Sequence, residues 1–364
     1  MNFLDLFTLQ SLAPLLILLG YAAWARDGTS PFVELARAIA ALAAGFLAFV
    51  LVGNAVLHGH DDVLLSISRQ RLYAGGFDGS SVFHAGALAV GIAIFSAGAR
   101  SAPLWAMLLA AGLYGGLIAP VAMRQTWWGL LRSVGLIDTG GAIAIHLCGG
   151  AVAMALARIF PDRGAAPVEA RRRGRRAGVA LPLVAIGFLL LARGTAIMQS
   201  PATVDQAMWM LLVGAGAGAA IAAARAAPAK SDARALAWVV CGAIAGGVAT
   251  VAGAGRLPWW IAAGAGVLAA AALGPAQRML RAFFGERIDH RLVAAHLAGG
   301  LVAVVAAVPC AIHADGRVQV AIQLVAAVSL AGLATCAAVI VLGAAKLLVA
   351  LLPFSLRRAS PRTD

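Results

Sequence analysis

Long apolar runs, separated by short clusters of charge, proline and glycine, set the pattern of this chain. Read between those breaks, the runs predict helices at about residues 9–25, 33–54, 81–98, 103–123, 138–160, 178–198, 203–225, 235–254, 258–276, 292–313 and 321–352. About 20 apolar residues carry a helix across a bilayer. Lipid offers the backbone no hydrogen-bond partner, so only helices and closed barrels span it. The runs are continuous rather than alternating, which argues against a barrel. The expected fold is an all-α polytopic membrane protein of about eleven transmembrane helices. The last run is long enough to tilt or kink.

Composition sharpens this reading. The chain is 62% hydrophobic and 12% charged, with a mean hydropathy of +0.90. A soluble domain is roughly 45–50% apolar and roughly 25% charged. A soluble globular protein, a disordered chain and a disulfide-stapled secreted domain are all excluded. The chain is expected to form one transmembrane domain over residues 1–364, with a basic loop at about 161–177. Cys148, Cys241, Cys310 and Cys336 lie in apolar runs without CxxC spacing, and they read as small core residues rather than metal ligands. No metal site and no cofactor are expected.

The net charge of +13 suggests nucleic acid only until its distribution is examined. With the amino terminus outside, the cytoplasmic loops hold Arg26, Arg100, the cluster Arg171, Arg172, Arg173, Arg175 and Arg176, then Arg225, Lys230 and Arg234. Further along they hold Arg278, Arg281, Arg287 and Arg291, and the tail holds Arg357, Arg358 and Arg362. The outer loops hold fewer. This bias predicts an inner (plasma) membrane protein with its amino terminus outside and its carboxyl terminus cytoplasmic. The 171–176 cluster fixes topology, touches anionic headgroups or serves as a contact surface; no nucleic-acid partner is expected. Residues 1–10 carry Asp5 and no basic residue, so no signal peptide is expected. The outer segment His58–Ser80 reads either as a cover over the outer mouth or as an ordinary connection.

Two segments repeat each other. Residues 146–153 read HLCGGAVA and residues 296–303 read HLAGGLVA, with the histidines 150 positions apart. One copy lies in the fifth run and the other in the tenth. The unit is therefore five spans, about 9–160 and 178–313, with a final helix at about 321–352. Five is odd, so the halves enter the membrane in opposite directions. Inverted repeats are a transporter signature, with the substrate path between the halves. Gly149, Gly150, Gly299 and Gly300 permit close helix approach, which would let His146 and His296 meet. Each is an ionisable residue inside the membrane, costly there and expected to line a path. Burial favours neutral rings, and each neutral ring has one donor and one acceptor nitrogen. Such a row suits a small polar neutral molecule or a proton relay.

These residues resemble the ammonium transporter/Rh family. Its first motif, like D-F-A-G-G-x-x-x-H, is matched by Asp138-Thr139-Gly140-Gly141-Ala142-Ile143-Ala144-Ile145-His146. Its second, like D-x-x-x-x-H-G-x-x-G, is matched in part by His296-Leu297-Ala298-Gly299-Gly300. The resemblance spans about residues 9–352. It implies a homotrimer with one narrow pore per subunit, lined by His146 and His296, that carries ammonium or ammonia. It also implies that Asp138 acts near an outer recruitment site, by ordering helix ends or by helping ammonium deprotonate. Asp138 also suits the start of a helix as a cap.

The departures from the family are specific. Thr195 stands at the recruitment serine and keeps a hydroxyl. Thr126 stands near the recruitment tryptophan, beside Trp127 and Trp128, whose indoles can attract a cation. Ala87 and Leu191 stand where paired phenylalanines close the pore mouth, with Phe83 and Phe188 nearby as candidate substitutes. His84 replaces a glutamine, Arg291 replaces an acidic residue, and Arg193 lies near the outer end of the sixth run, where it would repel a cation or snorkel to the interface. The resemblance also implies a PII-type signal protein as partner, but the tail from Pro353 to Asp364 that would meet it is short.

Transport of ammonium or ammonia through a twin-histidine pore is the leading functional expectation. The alternative is a non-conducting or gas-conducting relative acting as an ammonium sensor or interaction protein. No HExxH, no GxSxG and no paired intramembrane carboxylates point to an enzyme.

Overall fold

The structure is a computed structural model that describes residues 13, 16, 17, 19–21, 31–59, 65–74, 79–99, 102–160, 183, 184, 186, 187, 204–227, 232–285, 289–310 and 315–351. Among these the secondary structure is helical throughout, without strands. Seven helices are long and apolar enough to cross a membrane: Phe32–Leu57, Leu104–Ser133, Ala142–Ile159, Asp205–Ala226, Trp259–Phe284, His290–Cys310 and Gly316–Leu351. Two shorter apolar helices, Phe83–Gly98 and Ala235–Val248, fall on the third and eighth runs. The described residues of the first run (13, 16, 17 and 19–21) and of the sixth (183, 184, 186 and 187) are also helical. Thr195, Phe188, Leu191, Arg193 and the 171–176 cluster lie outside the described residues.

The elements run in chain order as follows. Helix α1 is Pro31–Ala48, followed by a π-helical turn at Phe49–Gly53 and by α2, Asn54–Leu57. Then come α3 (Arg69–Ala74), α4 (Gly79–Gly98) and α5 (Leu104–Leu113), a second π-helical turn at Tyr114–Ile118, α6 (Ala119–Trp127) and α7 (Leu130–Ser133). A third π-helical turn, Ala142–Leu147, leads into α8, Cys148–Ile159. The rest comprises α9 (Val204–Ala226), α10 (Asp232–Val248), α11 (Trp259–Phe284), α12 (His290–Ala306) and α13 (Gly316–Leu351).

The second π-helical turn has a sequence cause. Pro120, near the start of α6, has no N–H, and its ring clashes with the carbonyl four residues back in a regular helix. Widening the preceding turn relieves that conflict. The first and second π-helical turns pack directly on one another. A Cβ at Gly53 would sit 2.2 Å from the Gly115 carbonyl oxygen, and one at Gly115 would sit 2.2 Å from that of Gly45. Only glycine fits between backbones this close.

Small residues also set the packing of α9, α10 and α11. A Cβ at Gly246 would lie 2.2 Å from the Gly214 carbonyl oxygen, and one at Gly266 would lie 2.2 Å from the same atom. Gly218 and Gly242 face each other similarly, at 2.3 Å from the Gly218 side. Close backbone approach of this kind is how helices associate in lipid, where apolar surface alone gives no preference for protein over solvent. Gly246→Ala is therefore expected to lower the thermal unfolding temperature of the detergent-purified protein, at a cost of roughly 1–3 kcal/mol. A carbonyl cannot rotate away from the added methyl. Gly343→Ala, where a Cβ meets nothing within 4 Å, should leave the unfolding temperature unchanged or raise it slightly. Equal behaviour of the two variants would refute this packing account.

The core is mostly alanine, valine, leucine and isoleucine, and the buried polar residues stand out against it. They include Asp138, His146, His296, Asp289, Gln319 and Gln323. The fifth run was expected to be helical from residue 138, but the helix begins at Ala142. Residues 136–138 instead form a buried non-helical link, and Gly141 adopts a left-handed φ of +79° that starts the helix.

Candidate functional site

The repeated sequence motif explains how the two halves meet. His146 lies in the π-helical turn before α8, and His296 sits in α12; both are fully buried. Their Nδ1 atoms are 3.1 Å apart, and the rings are nearly parallel, at 7°, with centroids 5.1 Å apart. A Cβ at Gly150 would meet Leu297 at 2.7 Å, and one at Gly300 would meet Leu147 at 2.8 Å. Each motif segment therefore seats its leucine on a glycine of the other, with the histidines in contact beside them. Gly149 approaches Gly91 of α4, and Gly299 approaches Ala245 of α10. The His-Leu-x-Gly-Gly pattern is thus a packing code that places two imidazoles in hydrogen-bond contact.

A third ring joins this pair. The Tyr21 hydroxyl lies 2.5 Å from His296 Nε2, its ring edge-on to the imidazole at 76°. A neutral imidazole donates from one nitrogen and accepts at the other. If the Tyr21 hydroxyl donates to His296 Nε2, His296 carries its proton on Nδ1 and donates to His146 Nδ1. If His296 Nε2–H donates to the tyrosine, His146 Nδ1–H donates to His296. The two rings are coupled in tautomer, and one change in the row reverses both. Sequence reading did not single out Tyr21. Its only sequence signal is a hydroxyl within an apolar run.

Asp138 is 1% exposed and caps the segment that carries His146. Its Oδ2 accepts from the backbone N–H groups of Ile143 (3.1 Å) and Ala144 (3.3 Å). Such a cap satisfies N–H groups that a helix start leaves without partners. The link bearing Asp138 is held from several sides. Gln323 of α13 makes two hydrogen bonds to Ile137, donating to its carbonyl and accepting from its N–H, each at 3.1 Å. Gln319 donates to the Gly135 carbonyl at 2.8 Å. The N–H groups of Thr139 and Gly140 donate to the carbonyls of Ala252 and Val251, each at 2.8 Å. Trp127 Nε1 donates to the Asp138 carbonyl at 2.8 Å. Buried backbone needs this pairing, and here α13, α6 and the 251–252 turn supply it.

Around Trp127 lies an aromatic cluster. Trp127 is 5.4 Å from Phe83, 5.5 Å from His84 and 6.0 Å from Trp128, centroid to centroid. His84 is 5.2 Å from Trp128, and His58 is 6.3 Å from Trp128. Phe83, Trp127 and Trp128 are thus brought together with His84 beside the Asp138 link. Ala87, one turn beyond Phe83 on α4, is fully buried and presents only a methyl group. The described part of the 58–80 segment is anchored here. Arg124, fully buried on α6, donates to the carbonyls of Val56 (2.9 Å) and Ser66 (3.1 Å), and the Ser68 N–H donates to Ala55.

The second half has its own capping acid, Asp289. It lies seven positions before His296, is 4% exposed, and its Oδ1 accepts from the N–H groups of Arg291 and Leu292. The family motif directed attention to the acid five places before His296, where Arg291 stands, so Asp289 went unnoticed. Spacing from the first motif, one residue different, was the available signal.

These features describe a multi-pass helical membrane protein whose buried polar residues converge on one pair of histidines from matching segments. The chain belongs to the Ammonium Transporter Family, whose model matches residues 28–357. Membership indicates a transporter rather than an enzyme. Similar solved structures include a "Sensor Amt Protein", with a TM-score of 0.83 at 15% identity, covering 96% of this chain and 93% of that one. Saccharomyces cerevisiae Mep2 is similar with a TM-score of 0.80 at 16% identity, covering 97% and 86%. Candida albicans Mep2 is similar with a TM-score of 0.72 at 16% identity, covering 97% and 84%. The sequence matches none of the individually curated proteins.

Proposed function

We propose that the protein carries ammonium across the membrane by passing it as ammonia beside His146 and His296. The observation that carries this reading is the hydrogen-bonded row from Tyr21 through His296 to His146, fully buried in apolar surroundings. A buried row of alternating donors and acceptors offers sites to a small neutral molecule and a route for a proton. It offers no carboxylate or carbonyl cage for a hydrated metal cation.

In this reading ammonium is attracted at the outer end by the faces of Trp127, Trp128 and Phe83 and by the Asp138 carboxylate. The family resemblance assigns Thr195 to the same recruitment site. The ion gives up a proton before the histidines, since a charge in the apolar stretch costs several kcal/mol on the insertion scale. Phe83 narrows the mouth where Ala87 presents no ring, and the family resemblance assigns Phe188 and Leu191 to the same gate. The amino terminus is outside and the carboxyl terminus cytoplasmic. The protein works as a homotrimer in lipid, with one path per subunit.

A second reading, ammonium sensing without flux, is favoured by Ala87, which leaves the mouth short of one gate ring. The two readings separate in cells that lack their own ammonium uptake. Expression is expected to restore growth on limiting ammonium. Protein present in the membrane without restored growth, but with ammonium binding in detergent, would overturn the transport reading in favour of sensing.

A further inference from the structure

We infer that Tyr114 is the positioning residue for His146, holding the π-helical turn that aims its ring at His296. The inference rests on the transport reading for its consequence and on the geometry alone for its content. Tyr114 opens the π-helical turn Tyr114–Ile118 and is fully buried, its ring edge-on to Phe95 at 5.5 Å. Its hydroxyl crosses to the neighbouring segment and donates to the Ala144 carbonyl at 3.1 Å, with the Ile145 carbonyl at 3.5 Å. These are the two residues immediately before His146.

The passage for this hydroxyl is shaped for it. A Cβ on Gly91 of α4 would lie 2.0 Å from the tyrosine oxygen and 2.4 Å from Cζ. The backbone at Ala142–Leu147 needs an external hold because its hydrogen bonding is irregular. The Ile145 N–H and the His146 N–H both reach the Gly141 carbonyl, at 2.9 Å and 3.4 Å, and the Cys148 N–H is shared between the carbonyls of Ile143 and Ile145. A wide turn rotates every following side chain relative to a regular helix. Asp138 fixes this turn through its N–H groups at Ile143 and Ala144, and Tyr114 fixes it through the carbonyls at Ala144 and Ile145. One grip takes N–H groups and the other takes carbonyls, so together they hold the middle of the turn, Ile143–Ile145, through both kinds of backbone group. Losing the second lets the turn relax towards regular α-helix and swings His146 away from the 3.1 Å contact.

The test uses Tyr114→Phe, which keeps the ring against Phe95 and removes one oxygen. Gly91→Ala is the second variant, pressing on the hydroxyl from the other side. The readout is histidine ¹⁵N solid-state NMR of the full-length protein in lipid, which reports whether an Nδ1–H···Nδ1 hydrogen bond joins the pair. Wild type is expected to show the coupled signature, and both variants are expected to lose it or to broaden it between states. Ammonium-evoked flux in the same membranes is expected to fall about five- to tenfold in maximal rate, the scale of one buried hydrogen bond, with the half-saturating concentration unchanged because the outer aromatic cluster is untouched. A wild-type histidine spectrum in folded Tyr114→Phe would overturn the inference whatever the flux. Lost coupling in a protein that conducts in neither form would support the positioning role while refuting the transport reading.

Discussion

Asp138→Asn is expected to lower ammonium-evoked transport at least about tenfold while leaving the protein folded. The observed cap and the proposed transport role meet in this carboxylate, and the substitution separates them. The amide oxygen of asparagine can still accept from the Ile143 and Ala144 N–H groups, so the cap at 3.1 and 3.3 Å is retained. The negative charge is lost. A hydrogen bond or contact to a charged group contributes roughly 1.5–3 kcal/mol, and each 1.4 kcal/mol is about a factor of ten. Asp138→Ala should lose transport to the same degree and, in addition, roughly 0.5–2 kcal/mol of stability through the missing cap. Thermal unfolding in detergent and initial uptake rates in vesicles measure the two effects. Full transport by Asp138→Asn would reduce Asp138 to a structural cap.

The second large effect is expected from His146→Ala. The His296 Nδ1 then faces a cavity in place of its 3.1 Å partner. An unsatisfied buried polar group costs about 1–3 kcal/mol, and the row beginning at Tyr21 ends one ring early. Specific transport of ammonium is expected to drop by about one to two orders of magnitude, the scale on which misplacing a reacting group is felt. The cluster of Phe83, Trp127 and Trp128 keeps its own ring contacts in this variant, so ammonium binding should persist.

Helices were readable in this chain because apolar length alone decides them in a bilayer. The histidine pair was readable because a repeated motif, His-Leu-x-Gly-Gly, carries its own packing instruction. The repeat could say that His146 and His296 are equivalent, and the glycines said that their helices approach. Three kinds of feature were not readable. The 136–138 link is apolar apart from Asp138 and looked like the beginning of a helix; it is non-helical, and Gln319 and Gln323, about 180 residues away, supply backbone partners at Gly135 and Ile137. Tyr21 and Tyr114 each act through a single hydroxyl on a residue distant in sequence, which no local pattern records. The second π-helical turn depends on one proline and the third on tertiary hydrogen bonds, so helical periodicity blurs there without naming a cause. Asp289 shows a different limit: the capping acid sits two residues from the position that the family motif marks.

The most direct test of the central claim is the current on a solid-supported membrane bearing the purified protein in vesicles, after a pulse of ammonium, for wild type and His146→Ala. The account predicts a saturable, ammonium-specific current in wild type that is lost or strongly reduced in the variant. Equal currents from the two proteins would contradict passage beside the histidine pair. No current from wild type, with no ammonium-dependent pH change inside the same vesicles, would contradict transport itself.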